Sequence, residues 1–357
     1  MKVLKTILVV LIVLGALATI VINGYNIYLL KSKSKTQSTA TTAPPTAPAS
    51  PSFVWGATIR PFALNSGKPA TSIDQQFKYV TELFPKGACV RANVETSEKV
   101  NDAIIAAKKK YNTTLYIVLE EKMNFDDQQD YKKMAQDFAE KIVGRYKDQV
   151  EYYQLMNEVS GVVYSKDDEK GDKLDAGYGL KMNKNRYENV LTYTKAMSNT
   201  IRKIDPRAKI ILSGHWVLIK PVLQLIKDGV DVDIVGWNWG SGLSNNPGVI
   251  EIGDYGVLNI PVEVHKIRKK FWIVEANRDD GSVGGKEQDQ ASTIASLATV
   301  AKSNKYITGY FHFVLTDTRD EGPAGQLGLV TITQKGDAWV FGAKKPAFSA
   351  LQKAAAN

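Results

Sequence analysis

Two glutamates carry the chemistry that this sequence is equipped to do. Glu158 follows the apolar run Tyr152-Tyr-Gln-Leu-Met-Asn157, and Glu275 follows Phe271-Trp-Ile-Val274. Two carboxylates facing one sugar ring are what cleavage of a glycosidic bond requires. One is protonated and gives its proton to the leaving oxygen; the other is ionised and attacks or stabilises the anomeric carbon. Their surroundings must therefore push their pKa values apart. Arg91 closes another apolar run and is placed to pair with Glu275 and hold it ionised. A lone glutamate after a strand is often a solvated loop residue or half of an ion pair. The weight lies on the pair and on the order of the strands that carry it.

Eight short apolar runs rich in β-branched residues alternate with helical patterns from Phe53 to the end of the chain. They predict strands over Val54–Ile59, Gly87–Val94, Thr114–Leu119, Val150–Met156, Lys209–Leu212, Val232–Val235, Phe271–Val274 and Ile307–Leu315. Helical spacing marks Ser97–Tyr111, Asp127–Tyr146, Tyr187–Ile204, Lys220–Lys227 and Gln288–Ser303. The fold class is α/β, and eight units of this kind in one domain predict a (β/α)8 TIM barrel. A doubly wound sheet is the alternative architecture. In a barrel the fourth and seventh strands face one another across the mouth, so Glu158 and Glu275 converge there.

The ordered set resembles the clan A glycoside hydrolases, which are retaining (β/α)8 enzymes. Asn157-Glu158 after the fourth strand and Glu275 after the seventh carry the resemblance. It extends through Ile201-Arg-Lys-Ile-Asp-Pro-Arg-Ala-Lys-Ile-Ile-Leu-Ser-Gly214, Gly325-Gln-Leu-Gly-Leu-Val330 and Lys345-Pro-Ala-Phe348. The β-xylosidase/α-iduronidase-like and cellulase-like families are the nearest by pattern. The resemblance implies that Glu158 is the general acid/base and Glu275 the nucleophile. It also implies that Asn157 binds the sugar 2-hydroxyl and that Arg91 holds the nucleophile. Asp317 matches an acidic residue common in the clan. The sequence departs from the clan after the sixth strand, where Trp237 and Trp239 replace a histidine and a tyrosine, and at Phe313, which replaces a tryptophan.

Further residues are candidates for lining a carbohydrate cleft. Trp55, Trp216, Trp237 and Trp239 fall at predicted strand ends, where aromatic faces either stack on sugars or cap the core. If both tryptophans of Trp237-Asn238-Trp239 point into the cleft, Asn238 points away. His215, His312 and Phe313 are candidates for sugar contacts. Glu120 and Glu121 end the third strand, where such a pair is more often solvated. The three histidines and the single cysteine, Cys89, make no metal-ligand spacing, so no metal and no cofactor are expected.

The net charge is +9, and more than half of it comes from Lys2, Lys5, Lys31, Lys33 and Lys35 in a stretch without an acid. The remainder is too weakly basic to suggest nucleic-acid binding. Residues 7–30 are apolar over a length that can span a bilayer. They read as a transmembrane signal anchor or a cleaved signal peptide over residues 1–30. A Thr/Ser/Ala/Pro tract completes a linker over residues 31–52. The expected protein is thus a membrane-tethered extracytoplasmic glycosidase acting on an oligo- or polysaccharide, its catalytic domain spanning residues 53–357. A transglycosylase using the same glutamates, a non-catalytic carbohydrate-binding barrel, and a partner-binding surface protein using the charged insertion Ser165–Arg186 are the alternatives.

Overall fold

The computed structural model describes residues 53–62, 69–120, 123–164, 173–177, 180–319 and 322–357. The apolar segment and linker of residues 1–52 lie outside these. Among the described residues no helix is long and apolar enough to cross a membrane. Residues 49–357 form a compact unit.

Eight parallel strands close into a barrel in sequence order. They are β1 (Val54–Thr58), β2 (Cys89–Asn93), β3 (Thr114–Val118), β4 (Tyr152–Gln154), β5 (Lys209–His215), β6 (Ile234–Gly240), β7 (Lys270–Asn277) and β8 (Ile307–His312). Eight longer helices among the described residues lie between and after them: α1 (Pro69–Leu83), α2 (Glu98–Tyr111), α3 (Tyr131–Tyr146), α4 (Lys184–Ile204), α5 (Ile219–Lys227), α6 (Ile260–Lys266), α7 (Glu287–Ser303) and α8 (Pro346–Ala356), and a single helical turn, Val159–Val162, follows β4. The expected barrel is the observed one. The hairpin pairing Lys173–Gly177 with Leu180–Asn183 lies within the expected insertion.

The alternation of strand side chains sorts the core into two sets. Cys89, Tyr116, Val118, Ile211, Ile234, Trp272, Val274 and Phe311 fill the inside of the barrel. A larger set, including Tyr153, Trp237, Ile273 and Tyr310, packs between the strands and the helices. The interior is crowded enough to require glycine. A Cβ on Gly56 would lie 2.3 Å from the Phe311 ring and 2.5 Å from the Cys89 carbonyl oxygen.

Three strands run further than hydropathy predicts. β5 continues through Ser213-Gly-His215, β6 through Trp237-Asn-Trp239-Gly240, and β7 through Glu275-Ala-Asn277. Near the mouth the inward positions are polar, so the hydrophobic pattern stops before the hydrogen-bonded strand does. Local signals fix the helix starts. The Asp130 side chain caps α3 by accepting from the Lys133 N–H at 2.9 Å, and Asn183 caps α4 through the Arg186 N–H at 2.9 Å.

Gly56→Ala is expected to cost about 1–3 kcal/mol, the range for overpacking a filled core. Thermal unfolding measures it as a midpoint lowered by several degrees. An unchanged midpoint would mean that Phe311 yields freely and that the interior is loosely packed.

Candidate active site

Arg91 is the centre of the barrel mouth. It points inward from β2, and its side chain is 1% exposed. One guanidinium nitrogen lies 2.7 Å from Glu275 Oε1 and also donates to Thr58 Oγ1 at 3.3 Å. The other donates to Gln154 Oε1 at 3.3 Å and to Asn157 Oδ1 at 3.2 Å. The Tyr116 ring lies beneath, 5.4 Å from the guanidinium carbon. Tyr116 also donates its hydroxyl to Gln154 Oε1 in a short bond. Gln154 Nε2 then donates to Asn157 Oδ1 at 3.0 Å and to Ser213 Oγ at 2.8 Å. β1, β2, β3, β4 and β5 each place one side chain in this network.

Asn157 Oδ1 is therefore fixed by Arg91 and Gln154, with Ser213 Oγ a longer third donor at 3.5 Å, while its amide NH2 takes no part in these bonds. Glu158 sits in the left-handed region at φ 48°, and its N–H donates to Ser213 Oγ at 3.0 Å. Its Oε1 accepts from Asn238 Nδ2 at 2.8 Å. The Asn238 side chain is buried, and its Oδ1 has no partner.

Glu275 reaches the mouth through a β-bulge. Ile273 pairs with Trp237 and Glu275 with Asn238, so Val274 is an extra residue between them. Val274 points into the barrel, and the bulge lets the next residue point inward as well. Burial raises the pKa of Glu275. The Arg91 charge opposes that rise, and the neighbouring Glu158 charge adds to it.

An open cleft of about 470 Å³ lies over this network. Arg91, Asn157, Glu275 and Phe313 form its floor, with Arg60, Phe62 and Arg319 on its wall. Glu158 is not among the lining residues and stands beside the cleft next to Asn157. Phe313 lies under Arg60, with 5.4 Å between ring centroid and guanidinium carbon, and its peptide bond to Val314 is cis.

Several expected contacts lie elsewhere. Trp237 and Trp239 point outward into the helix layer, because they lie within β6 and not after it. Their indole N–H groups donate to the carbonyls of Trp216 at 3.0 Å and Ser244 at 2.8 Å. Asn238 is consequently the residue that faces the mouth, the reverse of the expected orientation. Trp55 sits early in β1 and packs outward against Phe53, Phe84 and Tyr310. His312 is fully buried outside the barrel wall, and burial pushes its pKa down to about 4, so it is neutral. Asp317 accepts from Lys345 Nζ at 2.7 Å and the Gly328 N–H at 2.9 Å, which ties the segment before α8 to the end of the barrel. His215 Nδ1 is 3.2 Å from Ser160 Oγ and braces the turn after Glu158. Trp216 is 37% exposed, so its face is open to solvent. Glu120 accepts from Asn93 Nδ2 at 3.1 Å, and Glu121 lies outside the described residues. Among the described residues no group of three or more His, Cys, Asp or Glu could hold a metal ion.

The sequence reading missed Thr58, Gln154, Ser213, Asn238, Arg60 and Phe62. For Gln154 and Ser213 the signal was a polar residue at inward parity within an apolar strand. For Asn238 it was the same parity, hidden by ending the strand too early.

No protein-family model matches the chain, and no curated sequence matches it. Solved structures do. The family 1 β-glucosidase from Thermotoga maritima superposes with a TM-score of 0.56 at 11% identity, over 84% of this chain and 96% of that one. A family 39 glycoside hydrolase from the gut symbiont Bacteroides cellulosilyticus WH2 gives 0.60 at 15% identity, over 85% of this chain. The match spans 63% of that longer protein. Likeness at this level of identity establishes the fold, a (β/α)8 barrel. Both neighbours belong to the clan that the sequence resembles.

Arg91→Met is expected to leave Glu275 without its cation. The carboxyl should then titrate at a higher pH than in the parent, and the barrel should lose about 3–5 kcal/mol, as when a buried pair loses one member. Carbon-13 NMR of the glutamate carboxyls and denaturant unfolding read the two effects. A Glu275 titration that stays put or moves down would show that Arg91 does not set its charge.

Proposed function

We propose that this chain is a retaining glycoside hydrolase that uses Glu158 and Glu275. The observation that carries the proposal is the Arg91–Glu275 contact of 2.7 Å on the floor of an open cleft, with Glu158 at the same mouth and joined to β6 by Asn238.

In the first step Glu158 gives a proton to the glycosidic oxygen as Glu275 attacks the anomeric carbon. The C–O bond to the leaving alcohol breaks, and an ester forms between the sugar and Glu275. In the second step Glu158 takes a proton from water. The resulting hydroxide equivalent attacks the anomeric carbon, and Glu275 departs as a carboxylate. Arg91 stabilises that carboxylate before attack and after release. The unused amide of Asn157 suits a hydrogen bond to the sugar 2-hydroxyl, a contact that strengthens in the transition state. Phe313, Phe62 and Trp216 offer apolar faces for the sugar C–H groups. The substrate is an oligo- or polysaccharide.

The apolar segment of residues 7–30 is proposed to anchor the chain in a membrane. The linker then holds the barrel outside the cytoplasm.

Residues 53–357 are tested on a panel of aryl glycosides and polysaccharides beside Glu158→Gln and Glu275→Gln. Both variants are expected to lose about 10²–10⁴-fold or more in turnover, the scale of general acid–base catalysis. NMR of the first-formed product should show a retained anomeric configuration. Activity should fall on the acid side through a pKa above the ordinary carboxylate value, because Glu275 must be ionised to attack and its pKa is raised. Inversion at the anomeric carbon, or turnover that survives Glu275→Gln, would refute the mechanism.

A further inference from the structure

The end of the barrel opposite the mouth is built differently. Here the helices end, the strands begin, and the chain enters β1 at Phe53 and Val54. The turn before β7 reads Lys266-Ile-Arg268-Lys269-Lys270, and the turn before β8 contributes Lys302 and Lys305, with no acid in either. Lys108, Lys109 and Lys110 end α2 at the same face.

Several acids at this end are in ion pairs: Asp148 pairs with Arg207, Glu151 with Lys108 at 2.7 Å, and Arg202 serves both Asp231 and Asp233 at 2.7 Å. Asp205 and Asp228 are engaged by neutral donors, the Asp148 N–H and the Tyr187 and Gln224 side chains. Arg268, Lys270 and Lys305 are exposed and form no ion pair among the described residues. Bases in the last turn of a helix are accounted for by its dipole. Arg268, Lys269, Lys270 and Lys305 lie beyond the helix ends, so the dipole does not account for them.

This face also holds a cavity of about 340 Å³, distinct from the catalytic cleft. Lys209, Arg268 and Lys270 stand at its rim, and Tyr152, Trp272 and Val54 line it. Asp233 is the acid of its wall, and its charge is engaged by Arg202 at 2.7 Å and Lys209 at 3.5 Å. Cationic groups thus surround a recess beside the point where the linker joins the barrel.

We propose that this face docks on an anionic phospholipid surface, with lipid phosphates at Arg268, Lys270 and Lys305. The proposal rests on the tethered reading above. The chain enters the barrel at this end, so an anchored chain would be tethered from here, and a held domain needs little intrinsic affinity to stay docked. Each basic residue near an anionic bilayer adds to the attraction, and salt screens it. Docking in this orientation turns the mouth away from the membrane, towards substrate.

The barrel keeps its described core within residues 53–357, so it can be tested without its anchor. Residues 49–357 are sedimented with vesicles of phosphatidylcholine, and with vesicles holding about a third phosphatidylglycerol. Binding is expected only to the second, and it should fall steeply between about 50 and 300 mM salt. The triple variant Arg268→Glu, Lys270→Glu, Lys305→Glu should bind at least about tenfold more weakly. A matched triple at the mouth end, Lys99→Glu, Lys132→Glu, Lys286→Glu, should bind like the parent. Circular dichroism and turnover of the parent's best substrate check that both triples are folded. Binding to neither vesicle, equal binding to both, or equal losses in the two triples would each overturn the proposal. So would retention on an acidic polysaccharide without vesicle binding, which would reassign the face to a soluble polyanion. The tether is tested separately: the full chain should stay with membranes in high salt, and its release there would refute the anchor whatever the vesicles show.

Discussion

A guanidinium with 1% exposure inside a barrel is the constraint that the mouth is built around. Removing Arg91 from water is costly, and the cost is recovered only if its hydrogen bonds and its charge are answered. Glu275 answers the charge; Thr58, Gln154 and Asn157 take hydrogen bonds from the two terminal nitrogens, and Nε alone has no partner among the described residues. These partners come from different strands, so the barrel must close in register for the charge to be tolerated. The reverse also holds. Once the terminal nitrogens of Arg91 are engaged, Glu275 and Asn157 have little freedom left, and a site fixed in this way needs little reorganisation when charge develops in it.

Much of this was legible in the sequence. All eight strands announce themselves by apolar, β-branched runs, and Glu158, Glu275, Arg91 and Asn157 stand where the runs end. What was not legible depends on facts that hydropathy does not encode. The mouth ends of β5, β6 and β7 are polar on their inward side, so the strands seem to stop early. That shortening misplaced Trp237, Asn238 and Trp239 on a loop, although in-and-out alternation within β6 fixes which of them faces the mouth. The bulge at Val274 is silent in the sequence because an added apolar residue looks like any other strand residue. Asp317 was read from the resemblance as a mouth residue, but its partner Lys345 lies 2.7 Å away and belongs to the segment before α8, a contact that only the fold reveals.

The outward-facing tryptophans alter how the cleft recognises anything placed in it. An aromatic pair on β6 would have been rigid, since strands are the least mobile part of the barrel. The aromatic faces near the mouth are instead Phe62, Phe313 and Trp216. Phe62 is 51% exposed and follows β1, and Trp216 is in the turn after β5. Recognition by apolar surface thus falls to residues beyond the strands, while the polar and charged network stays on them. Such a division suits barrels generally, because the loops can vary without disturbing the chemistry.

Asn238 shows how the two carboxylates are tied together. It pairs in register with Glu275 on one side and donates to Glu158 Oε1 at 2.8 Å on the other. The spacing of the two acids is therefore set by the pairing of β6 with β7, by the extra residue Val274, and by one hydrogen bond across the mouth. None of these elements is a loop. The left-handed turn at Glu158 is held from beneath, where its N–H meets Ser213 Oγ on β5. The unpartnered Oδ1 of Asn238 is then informative. It is an acceptor held at the mouth by the same residue that positions Glu158, and on the reading proposed above it faces the place where a sugar hydroxyl would donate.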